Sequence, residues 1–124
     1  MKWLILTDNN DLEIQCKNFL TGSNKKDKVI SASLTIESLK ANKKSLSELA
    51  ACILFANDEK EISASLGAGL STVFGFCAAQ NVPVITNIKL IYQDLLFGKD
   101  IGIACKNADD LINNLTKKYN KISD

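Results

Sequence analysis

The chain has 124 residues, of which 46% are hydrophobic, so a single domain with its own core is expected. It carries 15 basic and 14 acidic side chains, and this balance predicts no general electrostatic attraction to nucleic acid or to an anionic membrane. Every basic residue is lysine, and the absence of arginine forks argues against sequence-specific reading of nucleic acid. The chain has no histidine, which excludes Ser-His-Asp and Cys-His catalysis and histidine-containing zinc sites.

Apolar runs and helical spacings alternate along the first half of the chain. Residues 3–7 form a short apolar run that ends in a polar cluster, which predicts a buried strand entering a loop. This strand is followed by a predicted helix, by a second strand over residues 29–34 and by a weak helical stretch over residues 36–41. The first of these helices is indicated by Leu12, Cys16, Phe19 and Leu20, with Gly22 as its C-cap. The spacing of Ser45 and Glu48 is that of a capping box, which predicts a short helix into Ala50.

The second half continues the alternation. Strands are predicted over residues 51–56, 82–86 and 101–105, with Pro83 near the start of the second of these, where a missing N–H is tolerated. The helices between and after them are indicated by apolar residues at helical spacing: Ile62, Leu66, Leu70, Val73, Phe74 and Cys77 up to Gln80; Ile88, Ile91, Tyr92 and Leu95 up to Gly98; and Leu111, Ile112, Leu115 and Tyr119 after the cap Asn107.

The five predicted strands are continuous apolar runs rather than alternating ones. Such runs are typical of a parallel sheet that is covered on both faces. The sequence therefore predicts a single α/β domain over residues 1–124, a flavodoxin-like (Rossmann-like) three-layer sandwich of five parallel strands in the order 2-1-3-4-5. The third strand should be central and the most buried.

The cysteines and the apolar runs indicate the cellular compartment in which the protein is expected. Cys16, Cys52, Cys77 and Cys105 lie in apolar stretches and form no C-x-x-C pair, so they are predicted to be buried, reduced and inert. The alternative is a reactive thiol at Cys105, which precedes Lys106. No signal peptide is recognised and the apolar runs are shorter than a membrane span, so a cytoplasmic protein is expected.

Polar residues follow the predicted strands at the edge where ligands bind in open parallel sheets. Such residues are also common in turns, so a ligand-binding role and a purely structural role in the turn both stay open. The residues collected at this edge are Thr7, Asp8 and Asn9 after the first strand, Asn57 and Asp58 after the third, and Thr86 and Asn87 after the fourth.

The segment over residues 63–72 contains glycines at Gly67 and Gly69, each of which lowers helix propensity by nearly 1 kcal/mol. One interpretation is a loop that opens a helix near Gly69, whose free N–H groups bind an anion with the hydroxyls of Ser71 and Thr72 beside them. The other is close packing of a helix on the sheet. An isolated G-x-G is weak evidence for a dinucleotide site.

Two segments around this motif, residues 45–56 and 69–85, resemble the central part of nucleoside deoxyribosyltransferase-like and TIR-like domains. The resemblance covers roughly a third of the chain at the level of pattern. It implies an enzyme that acts on an N-glycosidic bond through a glutamate inside the helix. When Gly69 and Gly75 are matched to the two glycines of the family pattern, Val73 stands where that glutamate would be. This departure implies loss of the family's chemistry, with Glu59 or Glu61 as remote substitutes.

A second resemblance is to response-regulator receiver domains, which keep acidic residues, a Thr or Ser and a Lys at the same sheet edge. The matching positions are Asp8, Asn9, Asp58, Thr86 and Lys106. The chain departs from that pattern after the first strand, where a single Asp is followed by Asn, and after the fifth, where Lys106 is followed by Asn107 rather than Pro.

The leading functional prediction is a non-catalytic or weakly catalytic module that binds a small nucleotide-like or anionic ligand, or a partner protein. The alternatives are an N-glycosidase or deoxyribosyltransferase-type enzyme and an atypical receiver. No cofactor, metal, nucleic acid or membrane partner is predicted, and a homodimer is left open. The predicted ligand-binding residues are Asp8, Asn9, Asn57, Asp58, Gly67, Gly69, Ser71, Thr72 and Thr86.

Overall fold

The computed structural model describes residues 2–23, 28–35, 37, 49, 51–88 and 102–123. These residues form five strands and three helices. The strands are β1 (Lys2–Thr7), β2 (Lys28–Ala32), β3 (Ala51–Phe55), β4 (Val84–Thr86) and β5 (Gly102–Ala104). The helices are α1 (Asn10–Ser23), α2 (Glu59–Gln80) and α3 (Ala108–Ser123).

All five strands form one parallel sheet in the order β2-β1-β3-β4-β5. The register pairs Leu4 with Ile30 on one side and with Cys52 on the other. β3 lies in the middle of the sheet and all of its residues are buried. The predicted flavodoxin-like strand order and the central, buried third strand are therefore confirmed.

The two faces of the sheet carry separate halves of the core. Along β1, Leu4 and Leu6 point to one face and Trp3 and Ile5 to the other, because successive side chains of a strand alternate. The first face packs against α2, through Leu70, Val73, Phe74, Cys77 and Ala78. The second packs against α1 and α3, through Leu12, Cys16, Leu20, Leu111, Leu115 and Tyr119. The stripe predicted for the last helix is confirmed for Leu111, Leu115 and Tyr119, with Ile112 half-buried beside them.

Some local boundaries differ from the predictions. Gly22 does not cap the first helix, since α1 continues to Ser23 and no described glycine has a positive φ. The helix C-terminus with left-handed geometry is that of α2, where Asn81 adopts φ 55°. β4 begins at Val84, after Pro83, whose carbonyl accepts a hydrogen bond from Cys52 N at 2.9 Å.

Some predicted elements lie outside the described residues. Apart from residues 37 and 49, these are the helical stretch over residues 36–41 and the short helix over residues 45–50, together with most of the helix that starts at Ile88.

One described helix is long and apolar enough to cross a membrane by length and composition: α2, with 22 residues. The expectation that every apolar segment falls short of a span is therefore wrong for this helix. The core helix of a soluble protein passes the same test, and α2 packs Leu70, Phe74 and Cys77 fully buried against the sheet.

Candidate binding site at the carboxyl edge of the sheet

The loops that follow β1 and β3 are hydrogen-bonded to each other. The backbone N–H of Asn57 donates to Asp8 Oδ1 at 2.8 Å, and Asn57 Nδ2 donates to the carbonyl of Asp8 at 3.3 Å. Asn9 Nδ2 donates to Asn57 Oδ1 at 3.0 Å. These contacts bring together three of the predicted site residues: the adjacent Asp8 and Asn9, and Asn57, which is 49 and 48 positions away from them in sequence.

Polar side chains at this edge also form hydrogen bonds at the starts of α1 and α2. Asn9 Oδ1 accepts a hydrogen bond from Leu12 N at 2.9 Å, while Asn9 N donates to Thr7 Oγ1 at 3.1 Å. Asp58 is the N-cap of α2, and its Oδ1 accepts from Glu61 N at 3.1 Å. Capping and turn formation therefore explain part of this polar cluster without a ligand. Asp8, Asn57 and Asp58 are nevertheless exposed, so a ligand can reach them.

The end of β4 contributes Asn87, which the sequence placed at this edge but which the predicted set of ligand-binding residues did not include. Asn87 Nδ2 donates to the carbonyl of Ala56 at 2.7 Å, and Asn87 Oδ1 accepts from Ala56 N at 3.0 Å. The side-chain amide thus continues the pairing of β3 beyond its last strand residue. An asparagine directly after a predicted strand was the only sequence signal for this role.

Thr86, in contrast, does not face the site. It is fully buried, and its Oγ1 accepts a hydrogen bond from Ile88 N at 2.9 Å. Its carbonyl accepts from Cys105 N at 2.9 Å. Thr86 therefore connects β4 to the following turn and to the end of β5 rather than to solvent.

The glycine segment lies far from this edge. α2 begins after Asp58, so Gly67, Gly69, Ser71 and Thr72 belong to its interior turns. Gly69 is 11 residues beyond Asp58, about 16 Å along the axis at 1.5 Å per residue. The interpretation that Gly69 opens the helix is wrong, because the N-cap of α2 is Asp58.

The packing interpretation of the glycines does not account for Gly67 either. Within the part of the chain that the structure describes, a Cβ built at Gly67 would meet nothing within 4 Å, and the same is true at Gly75. Thr72 is exposed, and its Oγ1 donates to the carbonyl of Ala68 at 3.0 Å, a local bond within the helix.

The electrostatics of the edge are dominated by carboxylates. Asp8 and Asp58 are joined by the two acidic residues of the first turn of α2, Glu59 and Glu61, against the single Lys60. Within the described part of the chain, no group of three or more His, Cys, Asp and Glu residues is arranged to hold a metal ion. This edge favours hydroxyl or ammonium donors over a bare anion, because carboxylates repel negative charge at close range.

The thiol at the end of β5 is in an unreactive environment. Cys105 is buried, and its Sγ accepts a hydrogen bond from Asn114 Nδ2 at 3.7 Å. Burial and the nearby carboxylate of Asp110 raise the pKa of Cys105 to about 12. The Lys106 backbone N–H, at 2.8 Å, donates to Asp110 Oδ2. The described geometry thus favours an inert Cys105 over the reactive alternative.

The topology and the position of the polar cluster define the class: an α/β protein with a flavodoxin-like parallel sheet whose β1–α1 and β3–α2 loops meet at the carboxyl edge. No known protein-family model matches the chain, and no similar sequence is found among curated proteins. The resemblances to deoxyribosyltransferase-like, TIR-like and receiver domains therefore stay predictions.

Proposed function

We propose that this chain is a non-catalytic or weakly catalytic binding module, which takes a small nucleotide-like ligand or a partner protein at the carboxyl edge of its sheet. The supporting observation is the hydrogen bond of 2.8 Å between Asn57 N and Asp8 Oδ1. It connects the loops after β1 and β3, the two strands between which the strand order reverses. Open parallel sheets bind their ligands at this position.

The side chains at the edge indicate which part of such a ligand they would contact. Asp8, Asn57 and Asp58 are exposed and offer carboxylate and amide oxygens. These groups accept hydrogen bonds from hydroxyl or amine donors, such as those of a ribose. A phosphate would have to lie away from Glu59 and Glu61, so the hydroxyl-bearing part of the ligand is expected at the centre of the site. We place this protein in the cytoplasm, without a nucleic-acid partner.

The proposal is tested by titrating ¹⁵N-labelled protein with nucleosides, nucleotides and sugar phosphates and following the amide resonances. Shifts are expected for residues 8–10 and 57–59, and they should be lost in Asp8→Ala. Asn113→Ala, an exposed change on α3, is the matched control and should bind as wild type does. Shifts confined to another surface for every ligand in the panel, with none at residues 8–10 or 57–59, would contradict the proposed small-molecule site.

An enzyme that cleaves N-glycosidic bonds is the second candidate, and one observation argues against it. Val73, at the position of the family's glutamate, is only 4% exposed and packs in the core beneath α2. Neither its chemistry nor its position suits catalysis. The carboxylates that remain on α2 are Glu59 and Glu61, in the first turn beside Asp58.

We therefore expect no release of free base from nucleosides, deoxynucleotides or NAD above background. The measurement is chromatography of the reaction products, with Glu61→Gln as the matched variant. Robust turnover in wild type that Glu61→Gln abolishes would establish the enzyme and move the catalytic carboxylate to the start of α2.

A further inference from the structure

Asn87, the residue that follows β4, holds the end of the neighbouring strand β3. Its Nδ2 donates to the carbonyl of Ala56 at 2.7 Å, and its Oδ1 accepts from Ala56 N at 3.0 Å. Ala56 is fully buried, and it directly precedes Asn57 and Asp58, two of the residues proposed to bind a ligand. One side chain thus fixes both backbone groups of the residue that leads into the site.

The hydrogen bonds continue from the end of β3 across the carboxyl edge to β1. Asn57 N donates to Asp8 Oδ1 at 2.8 Å, and Asn57 Nδ2 donates to the carbonyl of Asp8 at 3.3 Å. Asn57 Oδ1 accepts from Asn9 Nδ2 at 3.0 Å. Three asparagine side chains therefore link the ends of β1, β3 and β4, in the order in which these strands lie side by side in the sheet.

Asn87 acts on this edge through the backbone of its neighbour. Among the described residues, its side chain forms hydrogen bonds with Ala56 alone. Ala56 requires one donor and one acceptor from a single planar group, and the amide of asparagine supplies both. In Asn87→Asp, which has nearly the same shape, the acceptor would be kept and the donor lost. The role of Asn87 therefore depends on its amide chemistry as well as on its shape.

We propose that Asn87 is a positioning residue for the binding site at the carboxyl edge, an inference that rests on the function proposed above. Its hydrogen bonds to Ala56 fix the direction in which the chain enters the β3–α2 loop. That direction places Asn57 N within reach of Asp8 Oδ1 and holds the two loops in contact. The exposed carboxylates of Asp8 and Asp58 are thereby kept in place before a ligand arrives, so that binding does not have to order them.

A positioning role and a purely structural role predict different results. If Asn87 only stabilised the fold, its removal would lower the unfolding midpoint but leave Asn57 bonded to Asp8 in every molecule that stays folded. If it positions the loop, that contact is weakened in the folded protein itself. The amide proton of Asn57 reports the difference, because a hydrogen bond to a carboxylate moves its resonance downfield and slows its exchange with solvent.

The first measurement needs no ligand and compares ¹⁵N spectra of folded variants, with Trp3 emission confirming the fold. In Asn87→Ala and Asn87→Asp we expect the Asn57 amide proton to shift upfield, towards its position in Asp8→Ala, which lacks the acceptor. Asn87→Gln retains both amide groups on a longer side chain and should give a smaller shift. Tyr119→Leu is the destabilised control: Tyr119 stacks on Trp3 near the start of β1, so the Asn57 resonance should stay in place.

The second measurement titrates the same variants with the panel of nucleosides, nucleotides and sugar phosphates. For a ligand that wild type binds through residues 8–10 and 57–59, Asn87→Asp should weaken the binding by about 2- to 10-fold, because the freed loop must be ordered again on binding. Tyr119→Leu should bind as wild type does.

The outcomes separate this inference from the proposed function. If wild type shows no shifts at residues 8–10 and 57–59 with any ligand, the small-molecule site proposed above fails, and the Asn57 resonance still decides whether Asn87 positions the loop. If wild type binds and the Asn87 variants bind equally well, the inference is overturned. It is also overturned if the Asn57 proton stays in place in every folded Asn87 variant.

Discussion

Gly67 shows how a single residue can have no packing role among the described residues of its chain. It lies inside α2, and a Cβ at this position would meet nothing within 4 Å. A helix-interior glycine costs conformational entropy, because its backbone is freer than that of any other residue when the chain is unfolded. The cost at Gly67 is therefore not offset by a close approach to the sheet.

We expect Gly67→Ala to raise the free energy of unfolding by roughly 0.5–1 kcal/mol. Ala68→Gly, at the exposed neighbouring position, should lower it by about the same amount and is the matched control. Urea unfolding of the three proteins provides the measurement. A destabilised Gly67→Ala protein would mean that the glycine serves a contact that the isolated chain does not make.

The buried thiols predict a pH dependence at the residue scale. The pKa of Cys16 rises from 9.0 to about 12 on folding, mainly through burial and also through Cys105. Because folding favours the neutral thiol, its stabilising contribution is complete below pH 9 and is lost as the pH rises from 9 towards 12.

Between these values, each such thiol should lower the free energy of unfolding with a slope of about 1.4 kcal/mol per pH unit. Urea midpoints at pH 7, 9 and 10.5 would show the loss begin above pH 9. The slope above pH 9 should become shallower in Cys16→Ala. A stability that stays constant up to pH 11 would show that this thiol is not desolvated in the native state.

At the scale of elements, side-chain caps and bridges decide where strands and helices end. Asp58 starts α2, and Asn87 pairs with both backbone groups of Ala56, a fully buried residue. Each side chain supplies hydrogen bonds that the regular element cannot form for itself at its end.

Asn87→Ala should therefore lower the free energy of unfolding by about 2–4 kcal/mol, since it leaves a buried N–H and a buried carbonyl without a protein partner. Asn113→Ala, on the exposed face of α3, should change it by less than about 0.5 kcal/mol. Thermal or urea unfolding checks both. A neutral Asn87→Ala variant would indicate that water replaces the amide at the end of β3.

Asp58→Ala should cost about 1 kcal/mol through loss of the cap, whereas Asp58→Asn should retain most of the stability, because asparagine caps helices equally well. Comparing the two separates capping from binding. If ligand binding depends on the carboxylate charge, Asp58→Asn weakens the binding while the unfolding midpoint stays close to wild type.

At the scale of the whole molecule, the sheet divides the core into two clusters, and β1, β3 and β4 contribute buried residues to both. Trp3, the single tryptophan of the chain, is fully buried beneath α1 and α3 and stacks on Tyr119 with ring centroids 5.7 Å apart. α2 covers the other face of the same strands. Because β1 and β3 contribute to both clusters, neither should persist without the other.

We expect unfolding in urea to be a single transition, with the blue-shifted emission of Trp3 and the helical circular dichroism changing at the same midpoint. Tyr119→Leu removes the stacking partner and should lower both midpoints together. Separate midpoints for the two probes would show that the faces unfold independently.

The periodicity of the sequence determined the elements and their arrangement in the sheet. Continuous apolar runs such as residues 51–56 predict fully buried parallel strands, and the helical spacing of Leu70, Phe74 and Cys77 predicts the face that α2 buries, because both patterns follow from local chain geometry. The strand order follows from the general preferences of alternating α/β chains. These features required no knowledge of contacts between distant residues.

Only the tertiary structure decided which polar residues lie together at the carboxyl edge of the sheet. Spacing alone did not show whether α2 starts at Asp58 or near Gly69, because the stripe from Leu70 to Cys77 fits either start. The hydrogen bond from Glu61 N to Asp58 settles it. Polar character at a strand end likewise did not distinguish buried Thr86 from exposed Asp8. The contact between Asp8 and Asn57 depends on strands that are distant in sequence lying side by side, and local propensity carries no information about that placement.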